Sequence, residues 1–321
     1  ALRVRDAAKG RIQDLGRRQL GAVVGRRDEF GKLARVFEDM AATVFRRQEE
    51  TEAIVRERTA QLSERNDQLA AANAQITQEL ELAKAMQTAI LPADFPVDAR
   101  FSGHAMMQAA RQVGGDFYDH FMLDEHRLAL VMADVSGKGV PAAFFMAVSR
   151  TIIQGVAQEH THAGDCISHA NDKICLENPL ELFVTVFYGI LDLRTGQLTY
   201  ANAGHNPPYV LSSSGELREV EGTGGMALGI LDGMPFAEGR VLLSQGDTLF
   251  LFTDGVTEAF NTADEEFGEE RLEAILSAHP GVGSAQLSDR VSSAVAAFSA
   301  GVPQSDDITL MAVRFEGGTQ S

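Results

Sequence analysis

Leu128-Ala129-Leu130-Val131-Met132-Ala133-Asp134-Val135-Ser136-Gly137-Lys138-Gly139-Val140-Pro141-Ala142 is an apolar run that ends at a carboxylate, turns through two glycines and re-enters apolar sequence behind a proline. Residues 128–133 read as a buried strand and 136–139 as a turn. Val140-Pro141-Ala142 reads as a helix start, because proline suits the first helical turn. Asp134 therefore stands where a buried strand meets a turn. A carboxylate in that place is costly unless it is paired or bound to a cation.

The same arrangement recurs at Gly114-Gly115-Asp116-Phe117-Tyr118-Asp119, at Phe252-Thr253-Asp254-Gly255-Val256-Thr257-Glu258 and at Ser305-Asp306-Asp307-Ile308-Thr309. Taken singly, each has an ordinary explanation, since Asp and Gly are turn formers. Together they put four carboxylate groups at strand ends with too few nearby bases to pair them all. Hard divalent cations such as Mg²⁺ and Mn²⁺ prefer such oxygen ligands.

Between the motifs, short apolar runs alternate with glycine-rich turns. Strands are expected at 128–133, 183–191, 197–203, 208–212, 247–253 and 308–315, and helices at 140–158, 164–177, 268–278 and 284–299. Strands and helices do not alternate one to one, so the pattern predicts an α+β domain with antiparallel sheets.

The four motifs, in this order, resemble the PPM (PP2C-type) metal-dependent phosphatases. More narrowly they resemble the bacterial sporulation-phosphatase-like branch that acts on anti-sigma-factor antagonists. The resemblance extends over about residues 80–316. It takes in the lead-in Ala83-Lys84-Ala85-Met86-Gln87-Thr88-Ala89-Ile90-Leu91-Pro92 and the segment Asn202-Ala203-Gly204-His205-Asn206-Pro207-Pro208. It implies two stacked antiparallel sheets flanked by helices, with two divalent cations, Mn²⁺ or Mg²⁺, at one edge. It implies that Asp134 bridges both metals and that the Val135 carbonyl completes one shell. Asp116 would serve the second metal, and Asp254 with Asp306 the first, with Asp307 the alternative to Asp306. Asp134 and Asp254 are then the principal catalytic candidates. The implied reaction is hydrolysis of phosphoserine or phosphothreonine on a partner protein, a STAS-type antagonist, by activated water. The alternative is a catalytically silent binding module of the same fold.

The sequence departs from the wider family in places. Relatives with a histidine two residues after the bridging aspartate use it as a proposed general acid, and Ser136 stands there. Arg111, five residues before Asp116, and Lys138, in its glycine-flanked turn, are candidate phosphate-binding residues. His205 reads as structural. Gly114-Gly115-Asp116-Phe117 approaches the diguanylate cyclase signature, but Phe117 stands where that signature has Glu.

The N-terminal part is different. Residues 1–45 read as two short helices around a connector containing Gly16, Gly21 and Gly25, the second opening at Asp28-Glu29 with an apolar face of Phe30, Leu33, Phe37, Met40 and Ala41. This resembles a HAMP signal relay. Residues 46–95 read as a coiled-coil linker. Val55, Leu62, Leu69, Ile76, Ala83 and Ile90 recur every seven residues, while the second row is largely polar (Arg58, Arg65, Ala72, Glu79, Met86). One apolar and one polar row predict a weak, switchable homodimer seam. Met86, Ile90 and Leu91, the last apolar residues before Pro92, are the expected transmitters to the phosphatase-like domain, 96–317, which a short tail, 318–321, follows.

A net charge of −17 argues against nucleic acid as the main partner, which needs a basic face. The charge is uneven: residues 1–60 carry 14 basic and 10 acidic side chains and the remainder 14 and 35, which points to separate modules. Cys166 and Cys175 fit neither a zinc spacing nor a disulfide framework. No run of about 18 apolar residues is present. The expected setting is the cytoplasm, with membrane attachment only through a segment upstream of Ala1.

Overall fold

In the computed structural model, residues 21, 23–176 and 178–317 are described. The first HAMP-like helix and the tail 318–321 lie outside them. The chain divides into two compact units, one ending at Thr77 and the other beginning at Gln78.

Helix α1, Glu29–Ile90, is continuous over 62 residues. It starts where Asp28 Oδ1 accepts the Gly31 amide at 3.1 Å, one of the donors a helix N-terminus leaves unpaired. It ends just before Leu91-Pro92 because proline disfavours helical backbone in the residue ahead of it. The expected second relay helix and the linker are thus parts of one helix. Residues 78–95, assigned above to the linker, belong to the second compact unit. They do so because Leu91 and Phe95 pack against its core.

The second unit has four layers. One sheet runs in the order β2-β3-β4-β5-β8, built from Phe117–Met122, Arg127–Val135, Val184–Asp192, Gln197–Ala203 and Gly239–Leu242. The other runs β1-β10-β9-β6-β7, from Phe101–Gln108, Ile308–Phe315, Thr248–Phe252, Tyr209–Leu211 and Leu217–Glu219. All pairings between these strands are antiparallel. The two sheets face each other across a core containing Leu128, Leu130, Met132, Phe187, Leu249, Leu251, Met311 and Val313. Helices α2, Val140–Ala157, and α3, Ala163–Leu176, cover the first sheet, and their buried residues join Val131, Ala133 and Val186. Beyond the short α4, Asp254–Thr257, helices α5, Gly268–Ser277, and α6, Ser284–Phe298, cover the second sheet over Phe250, Phe252, Leu310 and Ala312.

Central strands are buried on both faces, which is why β3, β4, β9 and β10 read as unbroken apolar runs. The strands that escaped the sequence reading lack that signal. β1 is half-buried along most of its length without alternation. β2 carries Asp119 and His120 inside the fold. Helix α2 is apolar and long enough to cross a membrane by composition alone. It packs instead through Ala142, Met146, Ile153 and Val156 into the layer above the first sheet.

Candidate metal centre

Antiparallel pairing gathers the four acidic motifs. Phe117 pairs with Ala133, so Asp116, before β2, and Asp134, near the end of β3, share one end of the first sheet. Leu310 pairs with Phe252, so Asp254, after β9, and Asp306, before β10, share one end of the second. The two ends meet. Asp116 Oδ2 accepts the Thr253 hydroxyl at 2.7 Å and the Thr309 hydroxyl at 2.6 Å, both from the opposite sheet. The Thr253 amide in turn donates to the Thr309 carbonyl at 3.1 Å. Thr253 and Thr309 were quoted within motifs but given no role above. Each is a hydroxyl within two residues of an aspartate at a strand end, and that was the only signal available.

The electrostatics follow from this crowding. Burial first, then the charges of Asp134 and Asp307, hold the Asp116 carboxyl well above the usual carboxylate range. Burial and then Asp254 push Asp134 up to about 7, against a hydrogen bond with Asp116. Burial and Asp306 raise Asp254. Carboxylates that raise one another in this way call for a cation between them.

Asp306 and Asp307 do different things. Asp307 is buried, and its carboxylate accepts the amides of Ala110 at 2.8 Å, Gly115 at 2.7 Å and Asp116 at 3.4 Å. It pins the loop 110–116 from inside. Gly114 is required there, because a Cβ would overlap the Asp307 carboxylate. Gly255 is required likewise, against the Asp307 carbonyl. The Asp306 carboxylate is only part-buried, and Lys138 Nζ meets it at 2.7 Å and the Ser305 carbonyl at 2.7 Å. Lys138 thus ties the second motif to the fourth. Arg111 is exposed on the loop before Asp116. The Ser136 hydroxyl accepts the Phe183 amide at 2.9 Å, and its amide donates to the Phe183 carbonyl at 2.8 Å. His205 is buried and held at about 4 by that burial, hence neutral, with Nδ1 2.9 Å from the Thr185 hydroxyl.

The donor set suits hard cations: carboxylates, and a Val135 carbonyl left open by Gly115, where a Cβ would stand 2.8 Å from that oxygen. Among the described residues no group of three or more His, Cys, Asp or Glu is gathered as a ready-made metal centre. A groove of about 890 Å³ is lined by residues such as Cys175, Phe183 and Ile230 and by none of these carboxylates.

The residues sequence reasoning missed lie at the lead-in. Met86 is 63% exposed and Ile90 37%, whereas Gln87 is buried and Leu91 packs on both the core between the sheets and the core under α2 and α3. Gln87 Nε2 donates to the Gly114 carbonyl at 2.7 Å, and its Oε1 accepts the Gly114 amide at 3.1 Å. Of that turn, Gln87 and not its neighbour Met86 contacts the loop 110–116. The polarity of Gln87 concealed its burial, because polar residues usually mark the solvent face.

Comparison with known proteins agrees with this geometry. The chain is 32% identical over 262 residues to Protein IcfG of Synechocystis sp., covering 73% of this chain and 41% of that protein. It is 30% identical over 184 residues to the phosphoserine phosphatase RsbU of Bacillus subtilis, covering 57% of this chain and 55% of that protein. The chain thus spans about half the length of the curated relatives it matches. Among solved structures, the SiaA-PP2C domain of Pseudomonas aeruginosa superposes with a TM-score of 0.69 at 25% identity, over 77% of this chain and 99% of that one. The RsbU and RsbW domains of Rv1364c from Mycobacterium tuberculosis give 0.56 at 28% identity, over 68% and 61%. The two stacked antiparallel sheets are those of the PP2C phosphatase fold. The profile of the family described as Stage II sporulation protein E (SpoIIE) matches residues 124–316, and with the four acidic motifs at one edge of that sandwich the chain belongs to the SpoIIE family of PP2C-type phosphatase domains.

Proposed function

We propose that this chain is a metal-dependent protein serine/threonine phosphatase whose substrate is a phosphorylated partner protein of the STAS type. The observation that carries the reading is the meeting of Asp116, Asp134, Asp254 and Asp306 from two sheets at one edge, where burial and then neighbouring carboxylates raise Asp116, Asp134 and Asp254, and Lys138 pairs with Asp306. Asp134, Asp254 and Asp306, with Asp116 and the Val135 carbonyl, would hold two divalent cations, Mn²⁺ or Mg²⁺. When bound, such ions supply the Lewis acidity that lets water attack phosphorus at neutral pH. Asp307 holds the Asp116 loop in place, with both of its oxygens accepting backbone amides, which favours Asp306 as the ligand of the two. Thr253 and Thr309 fix one oxygen of Asp116 and leave the other for the site. Lys138 steadies Asp306 until a cation competes for that carboxylate. Arg111, exposed on the loop that leads to Asp116, is the candidate for steering the phosphate.

The same reading makes α1 the regulatory input and a homodimer seam, with a HAMP-like relay at its start. Val55, Leu62, Leu69 and Ile76 are each more than half exposed along one row of the single chain, as a seam awaiting a second copy would be.

The test is hydrolysis of a phosphorylated STAS-type protein by the full chain with Mn²⁺, with and without EDTA. Turnover should stop in EDTA and return with excess Mn²⁺. Undiminished turnover in excess chelator would sink the metal reading. A folded chain that neither binds Mn²⁺ nor turns over would leave the silent binding module.

A further inference from the structure

The lead-in helix and the acidic loop meet at one side chain that the proposed chemistry does not use. Gln87 lies in the last turns of α1, within the second compact unit. It is 7% exposed, and it closes a two-bond ring with Gly114, giving its Nε2–H to the carbonyl at 2.7 Å and taking the amide at 3.1 Å. Both groups of Gly114 are thereby satisfied by a residue 27 positions earlier. From Gly114 the connection is short. The next amide, Gly115, donates to Asp307, and the one after belongs to Asp116. The loop 110–116 is consequently gripped from two sides: by Asp307 from the second sheet and by Gln87 from the helix.

Gly114 cannot carry a side chain, because a Cβ would overlap the Asp307 carboxylate. With no side chain of its own to anchor it, its position rests on these backbone bonds. A shift of Gly114 moves the Asp116 carboxylate against the two threonine hydroxyls that orient it.

We propose that Gln87 is a positioning residue for the metal site: by holding both backbone groups of Gly114 it sets where the Asp116 carboxylate stands, and displacement of the end of α1 loosens that ligand. The inference rests on the phosphatase reading for its consequence but on hydrogen-bond geometry for its substance. It names the amide side chain, not the exposed apolar Met86, as the point where helix and site join.

The experiment uses the full chain with Gln87→Met, which keeps length and loses both bonds, and Gln87→Glu, which keeps the bond from the Gly114 amide and loses the one to its carbonyl. Thr88→Ala, on the exposed side of the same turn, is the control. Mn²⁺ affinity is read by calorimetry, and hydrogen–deuterium exchange is followed in peptides covering 109–117 and in α6. Each lost bond to a buried partner corresponds to roughly a tenfold effect. Gln87→Met should bind Mn²⁺ at least about tenfold more weakly. It should exchange faster in 109–117 with α6 unchanged, with Gln87→Glu between it and the wild type. Wild-type exchange and affinity in Gln87→Met would overturn the proposal. So would equal acceleration in the loop and in α6, which marks a merely structural role. If the wild type itself takes up no Mn²⁺, the phosphatase reading fails, and the exchange of 109–117 alone then decides the role of Gln87.

Discussion

Replacing Asp306 and Asp307 separately by Asn distinguishes the two acidic residues that the sequence left interchangeable. Asp307 accepts three backbone amides, two of them near 2.8 Å and one long, at 3.4 Å. An asparagine can accept on one side only. Either its NH₂ faces the Ala110 amide or it faces those of Gly115 and Asp116, so at least one buried donor is left unpaired. Hydrogen bonds to a charged group contribute about 1.5–3 kcal/mol each, and an unpaired buried donor costs about 1–3 kcal/mol. Asp307→Asn should therefore destabilise the second unit by roughly 2–4 kcal/mol. For a unit of this size that is a fall in Tm on the order of 5–15 °C. Asp306 has a different environment. Its partner Lys138 is 40% exposed and Asp306 itself 33%, so this ion pair is worth under about 1 kcal/mol. The bond from the Asp307 amide to Asp306 Oδ1 can survive in Asn. Asp306→Asn should leave stability in EDTA within about 1 kcal/mol of wild type while Mn²⁺ binding is lost. Urea unfolding in EDTA, with the slope checked for constancy, and Mn²⁺ calorimetry on both variants make the comparison. The reasoning is refuted if Asp307→Asn is as stable as wild type, or if Asp306→Asn is the variant that unfolds early.

Asp134→Asn and Asp254→Asn should each lower phosphatase turnover by more than about 100-fold, as removal of a principal electrostatic element does, with the fold intact by circular dichroism; an unfolded Asp134→Asn chain would mean that the carboxylate is structural. Leu69→Lys with Ile76→Lys should give monomers in sedimentation, and a wild type already monomeric at tens of micromolar would end the coiled-coil reading. Asp119, buried on β2, meets Arg150 of α2 at 3.0 Å, and burial still holds its carboxyl above the ordinary range. Arg150→Met should thus cost about 3–5 kcal/mol by leaving a buried charge unpaired, with most of the loss recovered in Arg150→Met/Asp119→Asn. The sign with pH is fixed by the direction of that shift: a raised carboxyl destabilises as pH climbs through its folded value, so the deficit of Arg150→Met should shrink under acid conditions. A deficit independent of pH would show that the guanidinium acts through packing.

Much of this protein is legible without coordinates, for a physical reason that can be traced residue by residue. Strands buried on both faces must be apolar throughout, and helices covering a sheet must bury one stripe. Hence β3, β4, β5, β9 and β10 and helices α2, α3, α5 and α6 were legible from local composition. The acidic motifs stood out because carboxylates at the ends of such strands have no cheap reason to be there. Pro92 marked the end of α1 through a steric rule that needs no tertiary partner. What the sequence left open was decided by contacts between distant segments. β2 reads poorly because Asp119 contradicts its burial, and Arg150, 31 positions away, supplies the opposite charge that makes that burial tolerable. Asp306 and Asp307 are adjacent and chemically identical, yet strand pairing turns one toward Lys138 and the other onto the backbone of loop 110–116. Gln87 carries no signal at all until Gly114 is brought beside it. Local sequence fixes which elements form, because propensity and burial pattern are properties of neighbours along the chain. The role of a polar side chain belongs to its partners across the fold, and those exist only once the two sheets and the end of α1 have come together.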